Sequence, residues 1–131
     1  MILYWQKERD KDFFEVCESI RKDNYPNYVS VENIVKQAIN KEAQSFYRNT
    51  EIYAQIINKV RCGYLNKIRN SLTIELYNEL WNRYIQIKRQ NPKYNSMDCA
   101  RIISEQKAPR FYLSERHAKN LYYRLLKLNP K

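Results

Sequence analysis

Pro26-Asn27-Tyr28-Val29-Ser30 returns later in the chain as Pro92-Lys93-Tyr94-Asn95-Ser96, a P-x-Y-x-S match at an offset of 66 residues. Ala43-Gln44-Ser45-Phe46-Tyr47 returns as Ala108-Pro109-Arg110-Phe111-Tyr112, an A-x-x-F-Y match at an offset of 65. Upstream, Ile20-Arg21-Lys22 lines up with Ile87-Lys88-Arg89 at an offset of 67. Three matches in one order, with offsets drifting by a single residue, point to a duplicated unit. A duplication constrains the fold more than any single segment does, because both copies must solve the same packing problem.

The segments between these anchors read as helices. In the first copy, Phe13, Val16, Cys17 and Ile20 recur at helical spacing over about Lys7–Lys22, and Asn24-Tyr25-Pro26 breaks that helix. Ser30 is placed to cap a second helix over about Val31–Lys41, and Asn49 or Thr50 a third over about Glu51–Arg61. The second copy repeats the plan over about Thr73–Arg89, Met97–Glu105 and Glu115–Leu128, with Ser96 and Ser114 as caps. The expected fold class is therefore all-α: two tandem three-helix repeats, helix-turn-helix-like, joined by a helical connector. The expected divisions are 1–62, 63–72 and 73–131. A single glycine and four prolines leave little turn chemistry for a sheet of hairpins.

Charge is unevenly distributed. Asn, Lys, Ile and Tyr supply 52 of 131 residues, and their shared AT-rich codons account for much of the total positive charge. Base composition acts on both halves alike, however. Residues 1–65 carry ten Lys/Arg against nine Asp/Glu, whereas residues 66–131 carry fourteen against five. A basic surface that meets a polyanion is the simplest local cause.

The third helix of the second copy concentrates this charge. In a helix-turn-helix the last helix enters the major groove and its first residues meet base edges. Here Arg116, Asn120 and Arg124 are suited to base edges or phosphates, and Lys119 and Lys127 to phosphates, with Ser114 at the cap. Arg110 precedes them in the turn where the first copy has Ser45, and Lys88, Arg89 and Lys93 flank the second helix. These ten residues form the candidate nucleic-acid-binding set. The bland alternative is a pair of helical hairpins with solvated outer faces. Phe46-Tyr47 and Phe111-Tyr112 fit packing better than base stacking, because both copies keep the pair at the same point.

Catalysis, metals and cofactors are not expected. Arg116, His117, Tyr122, Tyr123 and Arg124 parallel the parts of a phosphodiester-cleaving tyrosine enzyme, but Asn120 stands where an H-x-x-R motif needs arginine. Cys17, Cys62 and Cys99 form no CxxC pair, and His117 is the only histidine. No apolar run approaches bilayer length, and the Met1–Glu8 stretch turns charged too early for a secretory signal.

The segment Ala108-Pro109-Arg110-Phe111-Tyr112-Leu113-Ser114 resembles an Ala-Pro-Arg-Phe-Tyr-x-Ser segment carried by small uncharacterised proteins of gut bacteria and their phages. The resemblance covers mainly residues 76–128. It implies a phage or mobile-element setting and carries no established chemistry. The resulting expectation is a non-enzymatic protein of the cytoplasm, or of a phage particle, with double-stranded DNA as partner and the first repeat free for protein contact or self-association. Neither a membrane nor a small-molecule substrate is expected. The alternative is a structural or adaptor protein whose basic half docks on an acidic protein surface.

Overall fold

In a computed structural model, residues 4–129 are described; residues 1–3 and 130–131 lie outside the described residues. The regular elements are α1 (Tyr4–Asp23), α2 (Val31–Ala38), α3 (Thr50–Arg61), a single 3-10 turn (Tyr64–Lys67), α4 (Ser71–Gln90), α5 (Ser96–Ser104) and α6 (Glu115–Leu128). The fold class is all-α, as the apolar spacing predicts.

Local chemistry sets the helix ends. Ser30 Oγ accepts from the Asn33 amide at 3.2 Å and starts α2, while Asn49 Oδ1 accepts from the Ile52 amide at 2.9 Å and starts α3. Helix α1 ends before Tyr25-Pro26, where Asn24 Nδ2 donates to the Ile20 carbonyl at 2.8 Å. Helix α5 begins differently from expectation. Its cap is Asn95, and Ser96 is the first helical residue. Asn95 Oδ1 accepts from the Asp98 amide at 2.8 Å, and Asp98 returns the favour to the Asn95 amide at 3.1 Å, a reciprocal capping box that a lone serine hydroxyl cannot match. Two other bounds differ. Helix α2 stops at Ala38, because the amides of Ile39, Asn40 and Lys41 tighten into a turn on Val35, Gln37 and Ala38. The connector holds only the 3-10 turn after Gly63, which adopts φ 80°, before Asn70 caps α4.

Several residues that stand 65 or 67 positions apart are buried at both places. Phe13 and Leu80, Cys17 and Tyr84, and Ile20 and Ile87 are all buried, each pair 67 residues apart. Ile34 and Cys99, Val35 and Ala100, Ala38 and Ile103, Ile56 and Leu121, and Ile57 and Tyr122 are all buried at a separation of 65. Tyr47 and Tyr112 both adopt left-handed backbone, at φ 59° and 53°.

The chain forms two compact units, and these are not the sequence segments 1–62 and 73–131. One unit comprises Met1–Phe46 with Lys107–Lys131, and the other comprises Tyr47–Gln106. The first therefore holds α1, α2 and α6; the second holds α3, α4 and α5. Each has one long helix, one short helix and a third contributed from beyond the connector.

In the first unit, α2 packs on α1 and α6, and α1 packs on α6. Ala43 and Ala108 pair their backbones antiparallel, and the Phe111 amide donates to the Ile39 carbonyl at 3.1 Å. The Phe111 ring then meets Phe13 edge-on at 5.4 Å. These contacts hold residues 107–113 against α1 and α2, and α6 follows directly. Phe13, Ile34, Leu121 and Tyr122 fill the core, each at most 2% exposed. Such burial stabilises by roughly 1.5–3 kcal/mol per large apolar side chain before entropy is counted.

In the second unit α3 packs on both α4 and α5. Tyr53, Ile57, Leu80 and Ile103 are fully buried there. At the end of α3, Arg61 donates to the Tyr84 hydroxyl at 2.7 Å and to Ser96 Oγ at 3.1 Å, joining all three helices.

Candidate nucleic-acid interface

Helix α6 turns Ala118, Leu121, Tyr122 and Leu125 inward. The 3.6-residue repeat consequently leaves Arg116, His117, Asn120, Tyr123, Arg124 and Lys127 exposed. Glu115 is the only acidic residue of this helix and lies at its N-terminus, where the helix dipole favours a carboxylate.

The ten sequence-selected residues divide between the units. Seven (Arg110, Ser114, Arg116, Lys119, Asn120, Arg124 and Lys127) lie in the first, and three (Lys88, Arg89 and Lys93) in the second. Arg116, Asn120 and Lys127 are exposed on α6. Ser114 is occupied as a cap, its Oγ accepting from the His117 amide at 3.1 Å. Arg110 is half-buried, its guanidinium carbon 5.8 Å from the centre of the Tyr112 ring, which itself stacks on Phe46 at 6.0 Å. That placement makes Arg110 a packing residue of the turn, in keeping with the packing role of the neighbouring aromatics. Lys88 donates from Nζ to the Tyr94 carbonyl, which ties together the turn between α4 and α5; Arg89 and Lys93 are exposed.

Two α6 cations meet acids from the first half of the chain. Lys119 Nζ lies 2.7 Å from Glu32 Oε1 on α2, and Arg124 lies 3.6 Å from Asp10 Oδ2 on α1. The Lys119 hydrogen bond, then a backbone hydrogen bond at Glu32 and the Lys119 charge, holds the Glu32 carboxyl below its ordinary value; reciprocally, Glu32 raises Lys119. Glu32, Val35, Glu115, Arg116 and Lys119 line a shallow cleft of 280 Å³ between α2 and α6. Neither acid is visible from the α6 sequence, since both partners stand more than eighty residues upstream.

The fold also redistributes the charge asymmetry. The first unit holds fourteen Lys/Arg and nine Asp/Glu, and the second ten and five, a net of +5 in each. The contrast between sequence halves thus evens out between the units, because α6, with four Lys/Arg against one acid, joins α1, with five against six, and α2, with one of each. Four of the unit's fourteen Lys/Arg lie on α6.

The α5–turn–α6 segment, read in sequence as helix-turn-helix, is divided between the units, and α6 packs instead on α2 and α1. Tyr122 is 1% exposed and donates its hydroxyl to Glu18 Oε1 at 3.1 Å, while Arg21 Nε donates to Glu18 Oε2 at 3.0 Å. Burial, then the Glu18 charge, raises the Tyr122 phenol, the opposite of nucleophile activation. Among the described residues no group of His, Cys, Asp and Glu is arranged to hold a metal ion, and no helix is long and apolar enough to cross a membrane.

Comparison with protein-family models, with curated proteins and with solved structures finds no match for this chain.

Proposed function

We propose that the chain is a non-enzymatic nucleic-acid-binding protein whose duplex DNA contact is the outer face of α6. One observation carries the reading: Arg116, Asn120, Arg124 and Lys127 recur along a single exposed face on which α6 itself places no acidic residue, Asp10 of α1 approaching it only at Arg124. At a rise of 1.5 Å per residue the row from Arg116 to Lys127 spans roughly 17 Å, a length suited to a helix lying in the major groove. Arg116 and Asn120 are the base-reading candidates. Lys127 is the phosphate contact, and Arg124 joins it by leaving the loose 3.6 Å approach to Asp10. Helices α1 and α2 hold α6 from beneath, a discontinuous counterpart of the helix-turn-helix arrangement.

The tandem duplication belongs to the same reading. Shared burial at separations of 65 and 67 and the paired left-handed tyrosines support it. The second copy's third helix then carries Arg116 and Lys119 where the first has Glu51 and Ala54, and the Ala-Pro-Arg-Phe-Tyr-x-Ser resemblance supports a phage or mobile-element setting.

Salt-dependent retention of a short DNA duplex tests the proposal. Binding at low salt that weakens linearly on a logarithmic salt scale is expected, and charge reversal at Arg116 and Lys127 together abolishes it without loss of helicity. Absence of any binding at low salt sinks it. The Glu32–Lys119 and Asp10–Arg124 pairs favour a second reading, in which the same face docks on an acidic protein surface, since α6 cations already meet carboxylates within the unit. A stable protein partner, in purified material free of nucleic acid, would select that reading.

A further inference from the structure

Between α1 and α2 the chain presents two tyrosine rings to solvent. Tyr25 is 83% exposed and Tyr28 is 88% exposed. Rings with this much apolar area normally find cover, and burial of such a side chain stabilises a fold substantially. The turn itself is ordered by its backbone: the Tyr25 amide donates to the Lys22 carbonyl at 3.1 Å, and the Asn27 amide to the Asn24 carbonyl at 2.7 Å. With Arg21, Lys22, Pro26, Asn27 and Val29, the two tyrosines line an open cleft of 720 Å³.

The charge of this cleft indicates its occupant. Its lining includes two cations, Arg21 and Lys22, and no acid. Glu18 fixes the Arg21 guanidinium from the core side, and the Arg21 side chain remains 40% exposed. Flat aromatic faces beside two cations, one of them held by Glu18, match a ligand that is itself flat and anionic at regular intervals, which is the chemistry of a single-stranded nucleic acid. The second sequence copy serves as an internal control. Asn91 stands where the first has Tyr25, and Tyr94, the counterpart of Tyr28, is only 36% exposed. The turn can therefore be made without two projecting rings.

We propose that the Tyr25–Tyr28 turn is a single-strand binding site: bases stack on Tyr25 and Tyr28, and the intervening phosphates meet Lys22 and the exposed edge of Arg21. This site shares no residue with the α6 face and stands independently of the duplex-binding proposal.

The test is fluorescence anisotropy of a labelled oligothymidylate of about twelve nucleotides at low salt. The full chain binds it. The doubly substituted Tyr25→Ala/Tyr28→Ala protein loses affinity by about tenfold or more, whereas Tyr25→Phe/Tyr28→Phe, which keeps the stacking faces, retains it. Both variants keep the parent melting temperature, since the rings are outside the core. Charge reversal at Arg116 and Lys127 leaves oligothymidylate binding in place, so failure of the α6 reading is distinguishable from failure of this one. Three results would overturn the proposal: no oligothymidylate binding, equal binding by the alanine variant, or displacement by polyglutamate as effective as by unlabelled oligothymidylate. The last would assign the cleft to an acidic peptide.

Discussion

Ala43 and Ala108 exchange both of their backbone hydrogen bonds, each at 2.9 Å, and both side chains are 1% exposed. They occupy the same place in the two A-x-x-F-Y segments. An isolated antiparallel pair of this kind brings the two backbones close, and a methyl group is what the buried space around it accommodates. The pairing holds the segment that precedes α6 against the segment that follows α2, and so decides which unit receives α6.

Leucine at either alanine should therefore be costly. Overpacking of a filled interior destabilises by about 1–3 kcal/mol. Ala43→Leu and Ala108→Leu are expected to lower the melting temperature clearly, whereas Gln44→Leu, one residue away and exposed, leaves it nearly unchanged. Equal melting temperatures for the three variants would show that the bridge is not closely packed.

A cut in the connector separates two accounts of the molecule. Each unit contains helices from both sides of Gly63: α3 lies with α4 and α5, and α6 lies with α1 and α2. A protease site inserted between Gly63 and Tyr64, both exposed, should yield two fragments that co-elute on size exclusion and melt together. Units made of residues 1–62 and 73–131 would instead come apart into two independently folded pieces.

Much of this fold can be read from the residues, and the point where reading stops has a physical cause. Apolar spacing locates the six helices of the described residues, side-chain chemistry locates the caps at Ser30 and Ser114, and it narrows the α3 cap to Asn49 or Thr50, of which the structure uses Asn49. The partner of each third helix is another matter. Ile56 and Ile57 on α3 correspond to Leu121 and Tyr122 on α6, so both helices offer an apolar stripe of the same period. Either stripe satisfies either pair of long and short helices by pattern alone. What discriminates is long-range: the Ala43–Ala108 bridge and the Phe13–Phe111 contact. The candidate site follows the same division. The outward face of α6 is legible as periodicity, but the acids that meet Lys119 and Arg124 are not, and Arg110 reads as a surface cation although its turn half-buries it.

Alkaline titration should report on the buried pair of Glu18 and Tyr122. The folded protein favours the neutral phenol, whose value is raised above the ordinary 10.0, first by burial and then by the Glu18 charge. A raised folded value contributes stability that is complete below about pH 10 and lost as pH rises through the folded value. Phenolate absorbance should then show a late cooperative step that coincides with loss of helical circular dichroism. Tyr122→Phe should remove that step and, near neutral pH, cost about 1.5–3 kcal/mol by taking a hydrogen bond from a buried carboxylate. Persistence of the step in Tyr122→Phe would assign it to another group.

The Glu32–Lys119 pair offers the most direct link between fold and proposed function. Glu32 occupies one of the cations on the edge of the α6 face, with Nζ and Oε1 2.7 Å apart. Glu32→Gln removes the competing carboxylate but leaves α2 and its cap intact, because the amide is nearly the same shape and Ser30, not Glu32, holds the helix start. Lys119 is then available to a phosphate. Each phosphate neutralised releases condensed counterions, so the plot of log affinity against log salt should steepen by about 0.9 for one added contact, with tighter binding at low salt. The pair's own contribution to the fold is present above the ordinary carboxylate value of 4.5 and fades as pH falls through the lower folded value, because Lys119 depresses Glu32. At neutral pH little change in melting temperature should accompany the substitution, as is usual for exposed ion pairs. An unchanged salt slope in Glu32→Gln, with wild-type binding established, would place Lys119 outside the nucleic-acid contact and confine the interface to Arg116, Asn120, Arg124 and Lys127.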